Sequence, residues 1–227
     1  MAIIVGDVHG CFNTLEKLLS KLPDDEIFLV GDLIDRGPRS KEVIEFMIEH
    51  PEIKCVKGNH EEMACDVLSN STLGKVLTWT DPRNGGQATL DSYGSKGDRC
   101  ISEDIPEDHK KYMNSLPTYL IKGDLFISHA GYCGYDFKNK KDVKDIYTWN
   151  KERSLLWYRG NPKKVILEGN DYFHIFGHSP VPGAEIGEYY ANVDTGACFC
   201  DSKDEGYGIL TAIQFPSMKI YTQEHVD

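Results

Sequence analysis

The first sixty residues alternate short apolar runs with helical patterns. Ala2–Val5 is apolar throughout and ends in Gly6-Asp7. Phe12, Leu15, Leu18, Leu19 and Leu22 follow at spacings of three and four, which marks one buried helix face, until Pro23-Asp24-Asp25 breaks the pattern. A second apolar run, residues 27–30, ends in Gly31-Asp32. Val43, Ile44, Met47 and Ile48 then mark a second helix, with Ser40 as its expected cap and Pro51 as its stop. A third run, residues 53–56, leads into Gly58-Asn59-His60. Strand and helix alternating in this way predict a parallel sheet with crossover helices. Ligands bind at the carboxyl ends of such strands, so Asp7, Asp32 and Asn59 are expected side by side on one sheet edge.

The rest of the chain is less regular. Residues 69–102 are rich in Ser, Gly, Thr and Asp and fit short helices joined by loops; residues 69–118 read as a helical cap region over the site. Tyr119–Lys122 and Leu125–Ser128 flank Gly123-Asp124, a dipeptide suited to closing a hairpin, and the second of these strands runs into His129-Ala130-Gly131. Residues 132–170 are polar and loop-rich. Residues 173–176 read as a strand ending in Gly177-His178, and residues 189–193, 208–213 and 218–221 as an antiparallel continuation. No repeat, biased tract or linker interrupts the chain, so residues 1–227 read as a single α/β (α+β) domain.

Composition narrows the class. With 227 residues, 40% hydrophobic and 11% aromatic, the chain can bury a sizeable core and is not wholly disordered. A net charge of −11 argues against a general nucleic-acid binder, although one basic cleft is compatible with it. No apolar run approaches the roughly 20 residues that span a bilayer. The start of the chain has no basic segment and meets a charge at Asp7, which points away from a signal peptide and toward the cytoplasm. Cys11, Cys55, Cys65, Cys100, Cys133, Cys198 and Cys200 are odd in number and irregular in spacing, and are expected to be reduced thiols. Cys198 and Cys200 alternate as on a strand and read as packing thiols rather than ligands.

The chemistry lies at the strand ends. Asp7, His9, Asp32, Asn59, His129 and His178 all sit at or just beyond apolar runs. Asp7 and His9 are two apart, so in extended chain they face the same way. Carboxylate, imidazole and amide together suit Mn²⁺, Fe or Zn²⁺ better than an all-oxygen Mg²⁺ or Ca²⁺ cage. Six such groups exceed one tetrahedral zinc and fall short of two closed structural sites. They fit two metals sharing a carboxylate, with positions left for water and substrate.

Gly6-Asp7-Val8-His9-Gly10, the run Gly31-Asp32-Leu33-Ile34-Asp35-Arg36-Gly37 and Gly58-Asn59-His60-Glu61 resemble the three signature motifs of the phosphoprotein phosphatase branch of the calcineurin-like metallophosphoesterases. Ser128-His129-Ala130-Gly131 and Phe176-Gly177-His178-Ser179-Pro180 resemble the two downstream histidine motifs, and Val193-Asp194-Thr195-Gly196-Ala197 the segment that follows. Size and layout are most similar to the small bacterial and phage-lambda-type serine/threonine protein phosphatases. The resemblance implies a β-sandwich of two mixed sheets flanked by helices, built from βαβ units with an antiparallel C-terminal part. It implies two divalent ions, above all Mn²⁺, with Fe, Zn²⁺ or Co²⁺ as alternatives. Asp7, His9 and Asp32 would hold one ion, and Asp32, Asn59, His129 and His178 the other. A hydroxide between the ions would attack phosphorus in line with the leaving oxygen, without a phosphoenzyme.

By the same resemblance His60 is the general acid, oriented by Asp35, and Arg36 binds phosphate oxygens. A second phosphate arginine is expected between the histidine motifs: Leu155-Leu156-Trp157-Tyr158-Arg159 favours Arg159, while Trp149-Asn150-Lys151-Glu152-Arg153 offers Arg153, or Lys151 in the lambda-type alignment. Glu61 is the family's mark of protein phosphatases, which implies phosphoserine and phosphothreonine, with phosphotyrosine as an extension, in a phosphorylated protein or small phosphoester. A symmetric diadenosine tetraphosphatase is the alternative; such relatives usually have longer chains and Ala-Arg in place of Asp35-Arg36. An RNA phosphoesterase would want a basic stripe that is not evident. Intact ligand positions argue against a non-catalytic scaffold. Trp79, Trp149 and Trp157 are read as packing residues, and Lys138, Lys140, Lys141 and Lys144 as a solvated loop.

Overall fold

The computed structural model describes residues 1–95, 101–132, 151–167 and 169–227. The chain begins with β1 (Ala2–Val5), α1 (Phe12–Leu19), β2 (Glu26–Leu29), α2 (Ser40–Glu49), β3 (Lys54–Cys55) and α3 (Asn59–Ser69). Short helices follow: α4 (Leu73–Trp79), α5 (Gly86–Ser92), α6 (Ile101–Asp104) and α7 (Glu107–Ser115). The remainder is β4 (Tyr119–Lys122), β5 (Leu125–Ser128), α8 (Lys151–Trp157), β6 (Val165–Leu167), β7 (Asn170–Phe176), β8 (Glu185–Ile186), β9 (Tyr190–Asn192), β10 (Ile209–Phe215) and β11 (Lys219–Glu224).

These strands make two mixed sheets, one ordered β11-β10-β1-β2-β3 and the other β4-β5-β7-β9-β8, with β6 paired to β7. In the first, β1, β2 and β3 are parallel and β10 and β11 antiparallel. β1 explains why its sequence is apolar on every position. Ile3 and Val5 pack with Leu15 and Leu18 of α1 and Val43, Ile44 and Met47 of α2. Ala2 and Ile4 pack instead against Leu125, Ile127, Ile175 and Ala191 of the second sheet. A strand covered on both faces loses the polar half of the usual alternation. A third apolar cluster, Phe126, Tyr132, Leu155 and Val165, covers the outer face of the second sheet. The result is two sheets face to face with helices outside, the sandwich that the resemblance implied. Among the described residues no helix is long and apolar enough to cross a membrane.

Several local expectations are corrected. Ser40 does not cap α2; it is the first helical residue after Arg39, and its hydroxyl accepts the Asp35 N–H at 3.0 Å. The third parallel strand is two residues long, Lys54–Cys55, and three residues separate it from α3. β9 runs parallel to β7, so the antiparallel continuation holds for β10 and β11 but not for residues 189–193. Cys198 and Cys200 are not on a strand: Gly196, at φ 65°, turns the chain out of the sheet into a 3-10 helix, Cys200–Glu205. Cys11, Cys55, Cys65, Cys198 and Cys200 are free thiols. Cys100, Cys133, Trp149 and the lysine loop lie outside the described residues.

Candidate active site

The carboxyl ends of β1, β2, β5 and β7 meet at one edge, and the backbone there is strained. His9, Asp32, Asp35, Arg36 and His178 have φ between 46° and 73°. Among the described residues Met218 is the one other non-glycine with positive φ. Left-handed backbone at a side chain costs free energy and persists where surroundings enforce it, typically at functional sites. The enforcement is visible. The N–H groups of Val8 and His9 both donate to the Asp32 carbonyl, at 3.1 and 2.8 Å. Glu61, in the first turn of α3, accepts from Asp32, Leu33, Ile34 and Gly58 N–H at 2.8–3.3 Å. Glu61 is fully buried and ties two loops together, so its part is structural.

This local geometry overturns one expectation. His9 is left-handed, so Asp7 and His9 do not share a face through extended chain. The Asp7 carboxylate instead accepts the His178 N–H, at 3.1 Å to the nearer oxygen. A Cβ at residue 177 would collide with Asp7 Oδ1, which is why glycine precedes His178. His9 reaches Asp32, its Nε2 3.5 Å from Asp32 Oδ2.

Asp32 is the centre of the cluster. Its Oδ2 lies 3.3 Å from His129 Nε2 and 3.8 Å from His60 Nε2, and its Oδ1 accepts the His60 N–H at the start of α3. Asn59 Oδ1 is 2.8 Å from both His129 Nε2 and His178 Nδ1. His129 Nδ1 donates to the Val30 carbonyl at 2.8 Å, and His9 Nδ1 to that of Ile34 at 2.9 Å. Asn59 Oδ1 and Asp32 Oδ2 both face His129 Nε2, and His178 Nε2 is buried without a partner. Two sets of donors, His9/Asp32/His60 and Asp32/His129/His178, each lie within 4.8 Å of one another and share Asp32. Asp7 is outside both sets, held on His178.

Charges in the cluster agree. Burial, reinforced by Asp194 and Asp32, pushes the Asp7 carboxyl well above its usual range. Burial also raises Asp194 to about 6. Burial alone would raise Asp32 as well, but His129, His60 and His9 outweigh it and hold that carboxyl well below its usual range. Burial and then the His129 and Arg159 charges pull His178 down to about 2, so its ring is neutral and free to ligate. Converging carboxylates beside neutral imidazoles make a site that a divalent cation fits.

Beside this cluster stands a second device. His60 Nδ1 is 2.6 Å from Asp35 Oδ2. Asp35 also accepts from Trp79 Nε1, at 2.9 Å to Oδ2, and from the Thr89 hydroxyl, at 2.6 Å to Oδ1. Helices α4 and α5 thus supply donors that fix the carboxylate, which fixes the ring and turns Nε2 toward Asp32. Burial pulls His60 down, yet Asp32 and the hydrogen bond and charge of Asp35 outweigh it and raise its pKa. Trp79→Phe removes the N–H and also shrinks a fully buried ring system. It is expected to cost at least about 1.5–3 kcal/mol, the worth of a hydrogen bond to a charged group plus the cavity left behind, read from the urea midpoint at unchanged slope.

The arginines divide. Arg36 Nη1 is 2.5 Å from His9 Nε2, and its guanidinium lies 5.6 Å from the centre of the Phe199 ring. Arg153 Nε donates to Glu62 at 3.1 Å, and Trp157 Nε1 donates to the same oxygen at 2.6 Å. Arg159 is exposed, and its charge is felt at His178. The Lys151 side chain lies outside the described residues. Sequence reasoning missed the parts played by Asp194, Thr89 and His174. His174 Nε2 meets the Ser128 hydroxyl at 2.7 Å, and that hydroxyl donates to Ala130 O, bracing the turn that carries His129. A lone polar residue inside an apolar strand carries no signal of such a partner.

The family model for calcineurin-like phosphoesterases matches residues 2–205. The chain is 30% identical to the bis(5'-nucleosyl)-tetraphosphatase PrpE (asymmetrical) of Anoxybacillus flavithermus, over 95% of this chain and 91% of that protein. It is 31% identical to serine/threonine-protein phosphatase 1 of Salmonella typhimurium, over 86% of each. A crystal structure of a putative diadenosine tetraphosphatase has the same fold, with a TM-score of 0.65 at 21% identity over 100% of this chain and 94% of that one. With the motifs, the sandwich and the strand-end cluster in agreement, the chain belongs to the calcineurin-like phosphoesterases, in the phosphoprotein phosphatase branch, and is a metal-binding hydrolase of phosphoesters.

Proposed function

We propose that this hydrolase is a two-metal phosphomonoesterase acting on phosphoserine and phosphothreonine in proteins, with Asp7, His9, Asp32, Asn59, His129 and His178 as ligands and Mn²⁺ as the preferred ion. The observation that carries the chemistry is the two sets of metal-type donors that share Asp32, with the His60–Asp35 pair at their side. Two divalent cations supply Lewis acidity and make water nucleophilic near neutral pH. The protein does the rest. Arg36 and Arg159 bind the equatorial phosphate oxygens, Arg36 through its planar fork. Arg36 must leave His9 Nε2 to do so, which frees that nitrogen for an ion. Asn59 adds a neutral ligand and a contact to phosphate. His60 Nε2 gives its proton to the departing alkoxide while Asp35 holds Nδ1.

A dinucleotide substrate is the second reading, favoured by the PrpE relative, which is aligned over more of both chains than the protein phosphatase is. That relative is close to this chain in length, so the length argument against the symmetric enzymes does not extend to it. Glu61, buried on backbone N–H groups, supports neither substrate by contact. The deciding experiment strips the protein with chelator, restores Mn²⁺ and offers a phosphoserine peptide and diadenosine tetraphosphate in parallel. Release of phosphate from the peptide at the higher kcat/KM is expected. Cleavage of the dinucleotide alone retires the protein substrate and keeps the metal centre.

A further inference from the structure

Away from the phosphoester centre, a second group of metal-type donors gathers where α1 begins. Cys11, His225 and Asp227 each offer one ligand atom, and the three atoms lie within 4.8 Å of one another. Cys11 is fully buried, its sulfur 3.5 Å from the His9 carbonyl oxygen. Both His225 ring nitrogens face oxygens: Nδ1 is 3.0 Å from Ala197 O and Nε2 3.1 Å from Asp227 O. Asp227 is held in place, its carboxylate accepting from Asn13 N, Thr14 N and the Thr14 hydroxyl at 2.6–3.0 Å. Cys198 and Cys200 are near enough for their charge to bear on Cys11.

We propose that Cys11, His225 and Asp227 form a separate, sulfur-containing metal site that takes Zn²⁺ or a similar thiophilic divalent cation. The donor set selects the ion. One thiolate, one carboxylate and one neutral imidazole balance a dication, and sulfur with nitrogen favours Zn²⁺ over Mg²⁺ or Ca²⁺. Three protein ligands would leave a fourth position for water. Binding forms the sulfur–metal bond as the Cys11 thiol releases its proton to solvent, with no change of oxidation state. Burial, with Cys198, Asp227 and Cys200 nearby, pushes the free Cys11 thiol up, so a bound cation and not the helix end supplies the thiolate. The site joins the segment after β11 to the turn that carries His9, and it stands whatever the substrate of the phosphoester centre.

The test uses a spectral property that the phosphoester centre lacks, since none of its proposed ligands contains sulfur. The full chain, reduced and stripped with chelator, is titrated with Co²⁺. A thiolate-to-cobalt charge-transfer band in the near ultraviolet is expected, and Zn²⁺ should displace it. Cys11→Ser should remove the band. Because that residue is fully buried and the variant could fail to fold, His225→Asn at a half-buried position gives the second reading: the Co²⁺ midpoint should rise at least about tenfold, with circular dichroism unchanged. Absence of the band, or a band that His225→Asn leaves at its original midpoint, overturns the site.

Discussion

His60→Asn is expected to slow hydrolysis of a phosphoserine peptide by about 10²–10⁴-fold, the usual contribution of a positioned general acid. The same variant should hydrolyse p-nitrophenyl phosphate at nearly the native rate. The contrast follows from the leaving group. A serine alkoxide is a strong base and needs a proton as the P–O bond breaks, whereas nitrophenolate is stable without one. The geometry behind the expectation is the 2.6 Å contact from His60 Nδ1 to Asp35, with Nε2 turned toward the cluster 3.8 Å from Asp32. Because His60 also lies within ligand distance of His9 and Asp32, ion content must be measured on the same sample. Two ions per chain in the variant assign the loss to proton transfer. A fall to one ion would make His60 a ligand and sink the acid role.

Asp32→Asn is expected to do more damage, and to both substrates alike. Asp32 is the member common to the two donor sets, and three histidines lie 3.3–3.8 Å from its Oδ2. The amide keeps the size and removes the charge that would bridge two dications. Ion content should fall from two per chain to one or none, and kcat/KM by at least about a thousandfold. That corresponds to several kcal/mol of charge stabilisation at 1.36 kcal/mol per tenfold. Asp32 also accepts the His60 N–H and is itself buried, so the fold is checked by circular dichroism. Full activity with two ions retained would contradict the shared-carboxylate reading.

How much of this could be read in advance depended on how local the cause was. The βαβ rhythm and the glycines after the strands placed Asp7, Asp32 and Asn59 on one edge, because strand ends and turn residues are written within a few positions. The hairpin at Gly123-Asp124 was equally plain. The direction of β9 was not, since a three-residue strand takes its partner from the whole sheet. The left-handed conformation of His9 was hidden for a related reason: it is imposed by the Asp32 carbonyl, 23 residues away in sequence. Trp79 read as packing, and it does pack, but its N–H on Asp35 depends on how α4 lies against the β2–α2 loop. Long-range hydrogen bonds of this kind leave no trace in spacing.

The cluster draws Asp7, Asp32 and Asn59 from the first sheet and His129 and His178 from the second. The gap between those two halves is filled by the apolar side chains of Ile4, Val30, Ile127, Ile175 and Val193. The spacing of the reactive groups is therefore a by-product of how thick that oily filling is. A methylene added or removed there alters the bite between the two sets of donors, even with every polar residue intact. Side chains with no chemistry of their own act as the shim that sets the working clearance of the centre.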